Sequence, residues 1–468
     1  MRRRTETERE HLERIALNPL SQTGRGYYFL VAFLAAVVLW GAYAFFTQLR
    51  FGLVTTGMRD QVFWGLYIVN FVFFIGISHA GTLISAILRV TQAGWRTPVT
   101  RMAEMITVTA ISIGALMPII DLGRPDRVWN MVVFGRFQSP LLWDILSIAS
   151  YLTGSIIYLY LPLIPDLALM RDRLGQDASL IKRKILTWLS IGWRNTPEQH
   201  HRLEKAIGIM ALTIIPVAIS VHTVVSYIFS MVMRPGWNSS VFGVYFVIGA
   251  IFSGIASIII VMAIFRKLYH LEQYITERHF RNLGWLLLTS LLLYLYLAVS
   301  EYLTIGYKLE IEDKHLLELL MVGPDAFLFW FFVFGGLVIP ALLIIIRRGP
   351  VIPRLVIAAV LINIAMWVKR FLVVIPTLKV PLMPFEFGAY TPTWVEWSIT
   401  AAAFAAFILI FAILAKFIPL LSIWEVAEGG EKKAPSKLLE TIERVGLTQE
   451  EVEAMVASEA LRRRQGGR

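Results

Sequence analysis

The chain contains no cysteine. Disulfides, thiolate zinc sites, cysteine-ligated iron–sulfur clusters and covalently attached c-type haem are therefore excluded within it. Charge is scarce too: 16% of the 468 residues are Asp, Glu, Lys or Arg, against about 25% in an average soluble domain. With 32 glycines and 20 prolines the chain is poor in the residues of fibrous proteins, and its 13% aromatic content is too high for disorder. What abounds is apolar: 57% of residues, with a mean hydropathy of +0.64. This combination leaves an all-α polytopic membrane protein.

A helix needs roughly 20 apolar residues to cross a bilayer. Ten runs qualify: about 27–47, 62–88, 102–120, 141–162, 206–231, 241–265, 283–306, 325–346, 355–375 and 395–419. Each is too long and continuous for a barrel strand, so helices must satisfy the backbone in lipid. The first run is a full span flanked by Tyr27, Tyr28 and Trp40, which reads as a retained helix and not as a cleaved signal. With ten spans the two termini share a side. That side holds 33 of the 44 Lys and Arg, the other holds 9, and Lys369 and Arg370 lie inside a span. The positive-inside rule then makes both termini cytoplasmic. A basic, lipid-facing inner surface accounts for the net charge of +11 without nucleic acid.

The second and sixth spans carry similar patterns. Trp64-Gly65-Leu66-Tyr67 aligns with Phe242-Gly243-Val244-Tyr245 at an offset of 178, which also aligns Phe74 with Phe252 and Gly76 with Gly254. Ser139-Pro140 before the fourth span has a counterpart in Gly323-Pro324 before the eighth. The pattern suggests two parallel-repeat four-helix bundles, 62–231 and 241–375, with peripheral helices at 27–47 and 395–425. A cytoplasmic segment, 1–26, precedes them. In the cytoplasmic tail, 426–468, Gly429-Gly430 breaks the helix and Thr448-Gln449-Glu450-Glu451 forms a capping box for a short amphipathic helix.

Ionisable residues inside a membrane are costly and are functional candidates by default. They are His79, Asp121, Asp144, His222, Glu301, Asp325, Lys369 and Arg370, with Glu104 near the inner surface. Counting about 1.5 Å per residue from the cytoplasmic ends puts His79 about 15 Å up, His222 about 25 Å, Glu301 about 27 Å and Asp121 about 28 Å. Asp144 and Asp325 fall at outer mouths of helices, where a carboxylate also suits the helix dipole. Lys369 and Arg370 read either as counter-ions to Glu301 or Asp325 or as parts of a proton path. His222 reads either as a cross-bundle hydrogen bond or as part of that path. His79 stands among small residues, Gly76-Ile77-Ser78-His79-Ala80-Gly81, which let helices or a flat ligand approach closely.

The turn Leu122-Gly123-Arg124-Pro125 after the third span resembles the signature of the NrfD/polysulfide-reductase membrane-subunit family. Within it, His79-Ala80-Gly81-Thr82-Leu83-Ile84-Ser85-Ala86-Ile87-Leu88 and Ser139-Pro140-Leu141-Leu142-Trp143-Asp144 are most similar to the ActC branch, the quinol-binding subunit of bacterial alternative complex III. The paralogous ActF branch is the neighbouring alternative. The resemblance covers about 27–425. It implies a bacterial inner-membrane subunit that oxidises menaquinol or another quinol near the periplasmic side. It implies partners as well: a periplasmic iron–sulfur subunit, multihaem c-type cytochromes and a paralogous ten-helix subunit.

Quinol oxidation releases two protons and two electrons, so the site needs hydrogen-bonding groups that accept protons. His79 and Asp121 have that chemistry, with Arg124 and Asp144 completing a quinol-binding set. Glu104, His222, Glu301, Asp325, Lys369 and Arg370 make up the candidate proton path. The electrons must leave to a partner, because no haem or cluster ligand set is present. Two other readings remain open: a quinone-reactive anchor of a molybdopterin oxidoreductase, and a secondary transporter. A transporter often breaks paired helices at Gly or Pro, and here Pro118, Pro216 and Pro340 are the prolines inside spans and not at their last residue, with no Gly-Pro break at corresponding positions. A di-haem b cytochrome would need four axial histidines, and only His79 and His222 lie in spans.

Overall fold

The computed structural model describes residues 23–174, 180–346 and 348–426. The described residues are helical and contain ten helices long and apolar enough to cross a membrane. The spans are formed by α1 (Arg25–Phe51), α2 (Leu66–Val90), α3 (Thr97–Asp121), α5 (Pro140–Tyr160), α8 (Pro197–Ser230), α9 (Phe242–Leu268), α10 (Glu277–Lys308), α12 and α13 (Ala326–Trp330 and Ile339–Ile345), α14 (Val351–Lys379) and α15 (Trp394–Phe417). Short helices lie between them: α4 (Val128–Val133), α6 (Ile164–Leu174), α7 (Leu180–Leu189) and α11 (Ile311–Met321). The capping box expected at 448–451 lies outside the described residues.

Local chemistry explains the ends. Thr393 and Glu396 form a reciprocal capping box at the start of α15, satisfying two of the orphan N–H groups of a helix terminus. Pro162 has no N–H to donate, so α5 tightens into a 3₁₀ turn, Leu161–Leu163, before continuing as α6. The eighth span holds a feature that hydrophobic runs do not reveal. Its middle, Phe331–Val338, is π-helical around Gly335-Gly336. A Cβ on Gly336 would stand 2.5 Å from the Cβ of Ala365 on α14, so the widened helix rests directly on its neighbour.

The helices α2, α3, α5 and α8 pack in a closed ring, and α9, α10, the eighth span and α14 pack in a second. The seam between the groups is α2 against α9 and α14, and α8 against α9. α2 is the hub and is buried over nearly its whole length. α1 and α15 pair outside both groups. The end of the molecule that carries loop 91–96, α6, α7 and loop 269–276 is rich in Lys and Arg, and is called the basic end below; the other is the far end.

α2 and α3 touch at Gly81. A Cβ there would lie 2.2 Å from the Ala103 carbonyl oxygen and 2.3 Å from Thr107 Oγ1. Both neighbours are helix backbone or buried, so neither can move aside cheaply. Gly81→Ala is expected to lower the melting temperature of the purified protein by several degrees, although alanine is the better helix former. An unchanged melting curve would show that α2 and α3 can separate freely.

At the basic end the chain folds back after α15. Trp424 Nε1 donates to the Pro162 carbonyl at 2.9 Å, and the Trp424 N–H donates to Asp166 at 3.3 Å. Asp166 also receives Arg101 at 2.9 Å, both side chains being 1% exposed. Glu425 pairs with Arg89 at 2.5 Å. The segment thus closes the base of the first helix group.

Candidate functional site

Two imidazoles meet inside the first group. His79 on α2 and His222 on α8 are fully buried, with ring centroids 4.5 Å apart. Among the described residues none of their four ring nitrogens has a hydrogen-bond partner. Residue counting had separated the two by about 10 Å of depth. It fails because α8 has 34 residues, far more than about 30 Å of hydrocarbon requires, so the start of its apolar run does not mark the membrane edge. His222 therefore belongs beside His79, not with the ionisable residues of the second group.

Tyr151 on α5 completes this cluster, its ring 6.0 Å from that of His79. The Tyr151 hydroxyl donates to the Ser78 carbonyl at 2.9 Å, and Thr107 Oγ1 donates to the same carbonyl at 2.7 Å. Thr107 thus marks the level of His79 on α3. Asp121 lies 14 residues further along that helix, about 21 Å. His79 and Asp121 do not share one pocket.

Asp121 sits instead at the far end. Its neighbourhood holds Gln48, whose amide donates to the Ile120 carbonyl at 2.8 Å and accepts Tyr67 OH at 2.6 Å. Glu396 accepts from Tyr390 OH at 2.5 Å and from the Gly57 N–H at 2.6 Å. Burial and the adjacent Glu396 push the phenol of Tyr390 up, which keeps it a donor. One carboxylate oxygen of Asp121 is buried and unpartnered among the described residues, and so is one of Asp144. Arg124 pairs with Asp126 and not with Asp121. The signature turn passes through Gly123 at φ +65°, and beyond it Arg124 chelates Asp126 at 2.9 and 3.0 Å in solvent. That pairing holds the Asp126 carboxyl below its ordinary value.

In the second group Glu301 accepts Ser239 Oγ at 2.7 Å and keeps its other oxygen unpartnered among the described residues. The Lys369 amine donates to Tyr302 OH at 2.7 Å and lies over the rings of Tyr302 (4.8 Å), Phe332 (5.3 Å) and Tyr245 (5.6 Å), faces that favour a cation. Glu301 and Lys369 line one cavity of about 30 Å³, room for a single water. Arg370 occupies the seam between the two groups, 5.0 Å over Phe246, and both its terminal nitrogens are unpartnered among the described residues. Asp325 holds the N-cap position of α12, but its side chain makes no capping bond. It pairs with Lys379 at 2.9 Å and not with Lys369 or Arg370.

A family model, polysulphide reductase NrfD, matches residues 54–381. The chain belongs to the NrfD family. Among relatives of this NrfD protein is a selenate reductase subunit of Mesobacillus selenatarsenatis, 26% identical over 85% of this chain and 94% of that one. The integral membrane subunit of the Hdr-like menaquinol oxidoreductase of Archaeoglobus fulgidus is 23% identical over 86% and 96%. The integral membrane subunit of the menaquinone reductase of Nitratidesulfovibrio vulgaris is 24% identical over 83% and 91%.

Sequence reasoning passed over the buried hydroxyls of this NrfD protein. Asp144, Ile148, Tyr151, Ser155 and Tyr158 form one buried stripe of α5; Ser78, Thr82, Ser85 and Arg89 run down the facing side of α2. Their spacing of three or four residues was available as a signal. Below the histidines Ser85 Oγ donates to Glu104 at 2.6 Å and lies 3.3 Å from Tyr158 OH.

Proposed function

We propose that this chain is the quinol-reactive membrane subunit of a respiratory oxidoreductase of the alternative complex III type. The observation that carries the reading is the buried His79–His222 pair, whose ring nitrogens are unpartnered among the described residues, beneath carboxylate oxygens of Asp144 and Asp121 that are likewise unpartnered there. Burying polar atoms without partners costs roughly 1–3 kcal/mol each, a cost that a substrate-handling site repays by meeting them during turnover. The two relatives whose names include menaquinol and menaquinone support menaquinol as substrate.

In this reading the ring hydroxyls enter from the far, periplasmic end, where Asp121 and Asp144 accept hydrogen bonds. His79, with His222 and Tyr151, is the interior proton acceptor, because a neutral imidazole carries one accepting and one donating ring nitrogen. Arg124 orders the signature turn at the mouth. Electrons pass to a periplasmic iron–sulfur subunit and then to multihaem c-type cytochromes, alongside a paralogous ten-helix subunit. Glu301 and Lys369 carry protons through the second group, with Arg370 as a fixed positive charge beside the path, and Asp325 holds its outer end by pairing with Lys379.

A second reading is supported by the selenate reductase relative: the same site in a quinone-reactive anchor of a molybdopterin oxidoreductase. The proteins that co-purify separate the two. An iron–sulfur protein with multihaem cytochromes supports the first, a molybdopterin protein the second, and purification as a lone active carrier overturns both. The side of the membrane is tested separately. Reporter fusions after about residue 310, in α11, are expected to be periplasmic; a cytoplasmic signal would put the quinol mouth in the wrong leaflet.

A further inference from the structure

The end of α3 that carries Asp121 is held by side chains from outside both helix groups. Gln48, in the last turn of α1, is fully buried. Its amide nitrogen donates to the carbonyl of Ile120, the residue before Asp121, at 2.8 Å, and its amide oxygen accepts Tyr67 OH at 2.6 Å. A carbonyl can only accept, so the amide nitrogen must face Ile120 and the oxygen is left for the phenol. Pro118 has no N–H to give, so the last turn of α3 is tied to the rest of the helix by one bond fewer. Gln48 thus supplies an outside hold where the helix's own bonds are reduced. The chain after α1 holds the next residues. Leu53 rests on the signature turn, 2.8 Å from where a Cβ on Gly123 would stand. Leu53–Thr55 is a 3₁₀ turn; the Thr55 carbonyl accepts Thr393 Oγ1 at 2.9 Å, and the Gly57 N–H donates to Glu396 at 2.6 Å. The start of α15 therefore fastens the loop, and the loop and Gln48 fasten Ile120 to Gly123. Gln48, Thr393 and Glu396 all lie outside the stretch 54–381 that the family model matches.

We propose that the peripheral pair α1 and α15 is a clamp that sets the position of Asp121 in the quinol mouth, with Gln48 as its positioning residue. The proposal rests on the quinol reading of Asp121. Gln48 does not touch substrate in this account. It fixes the backbone on which Asp121 stands, so that the buried, unpartnered carboxylate oxygen meets a ring hydroxyl at one depth. A hydrogen bond weakens steeply once its distance and angle are lost, so a released turn costs quinol binding, while the proton acceptor at His79 stays in place.

The test is steady-state oxidation of a soluble naphthoquinol by the purified complex, with gel electrophoresis reporting assembly. Gln48→Met keeps the side chain's length and removes both hydrogen bonds. It is expected to raise KM about tenfold with kcat nearly unchanged, the pattern of binding lost equally from ground and transition states. Gln48→Glu gives a second readout. A protonated carboxyl still donates to Ile120 and accepts Tyr67, whereas a carboxylate cannot donate. KM in that variant should be close to wild type at low pH and rise with pH more steeply than the wild-type profile, in which Asp121, Glu396 and Tyr67 already titrate. Phe46→Leu, at an exposed position of the same helix, should keep the wild-type KM. Wild-type KM in Gln48→Met with a wild-type pH profile in Gln48→Glu overturns the clamp, and so does an equal rise in KM in Phe46→Leu. If Gln48→Met does not assemble, the Gln48→Glu profile decides alone. Wild-type KM and kcat in Asp121→Asn would remove the quinol reading of Asp121 itself, which is a different failure.

Discussion

His79→Ala and Asp121→Asn are each expected to lower quinol-dependent electron transfer by two to four orders of magnitude while the complex still assembles. That is the range over which loss of a positioned general base acts. The two should fail differently, because Asp121 lies about 21 Å along α3 from Thr107, which marks the level of His79 on α2. Asp121 stands at the far end, beside the turn through Gly123 and in reach of the surface, so Asp121→Asn should weaken quinol binding as well as turnover. His79 is fully buried against His222 and Tyr151, so its loss should leave binding closer to normal and remove the interior proton acceptor. The measurement is quinol oxidation by the purified complex, with the partner cluster followed spectroscopically and quinol binding measured in parallel. Wild-type rates in both variants would take the site out of the first helix group. Glu301→Gln is the comparison: loss of quinol binding there would place the site in the second group.

Arg101→Met is expected to destabilise the protein by about 3–5 kcal/mol, the usual result of removing one partner from a buried ion pair. Arg101 and Asp166 are both 1% exposed, and Arg101 also donates to the Pro162 carbonyl at 2.9 Å. The variant strands the Asp166 carboxylate in the base of the first group, where the Trp424 N–H at 3.3 Å is its remaining donor. Thermal unfolding of the purified chain in detergent should show a large downward shift. Arg101→Met combined with Asp166→Leu should recover much of it, since apolar replacement of a whole buried pair is often close to neutral. A double variant no more stable than the single one would mean that the pair organises the fold-back through Trp424, and does not merely neutralise itself.

The sequence by itself determined the class and the count. Ten apolar runs became ten helices because hydrocarbon leaves the backbone no other partner, and helix ends followed from residues such as Pro140, Thr393 and Glu396. The turn at Leu122-Gly123-Arg124-Pro125 and the lone in-span histidines were legible as well, because charge and polarity inside a membrane are rare enough to stand out. Depth and partnership were not legible. Residue counting treats every helix as upright from a common plane, whereas long helices tilt and overrun the bilayer. Only the tertiary structure therefore brought His222 to His79, parted Asp121 from both, gave Asp325 to Lys379 and left Arg370 in the seam. The π-helical segment at Gly335-Gly336 was decided there too, by the close rest of Gly336 on Ala365. Tyr151, Ser85 and Tyr158 stayed unnoticed for a related reason. A hydroxyl costs little to place in a helix, so nothing in composition marks it until facing helices show which ones share an interior.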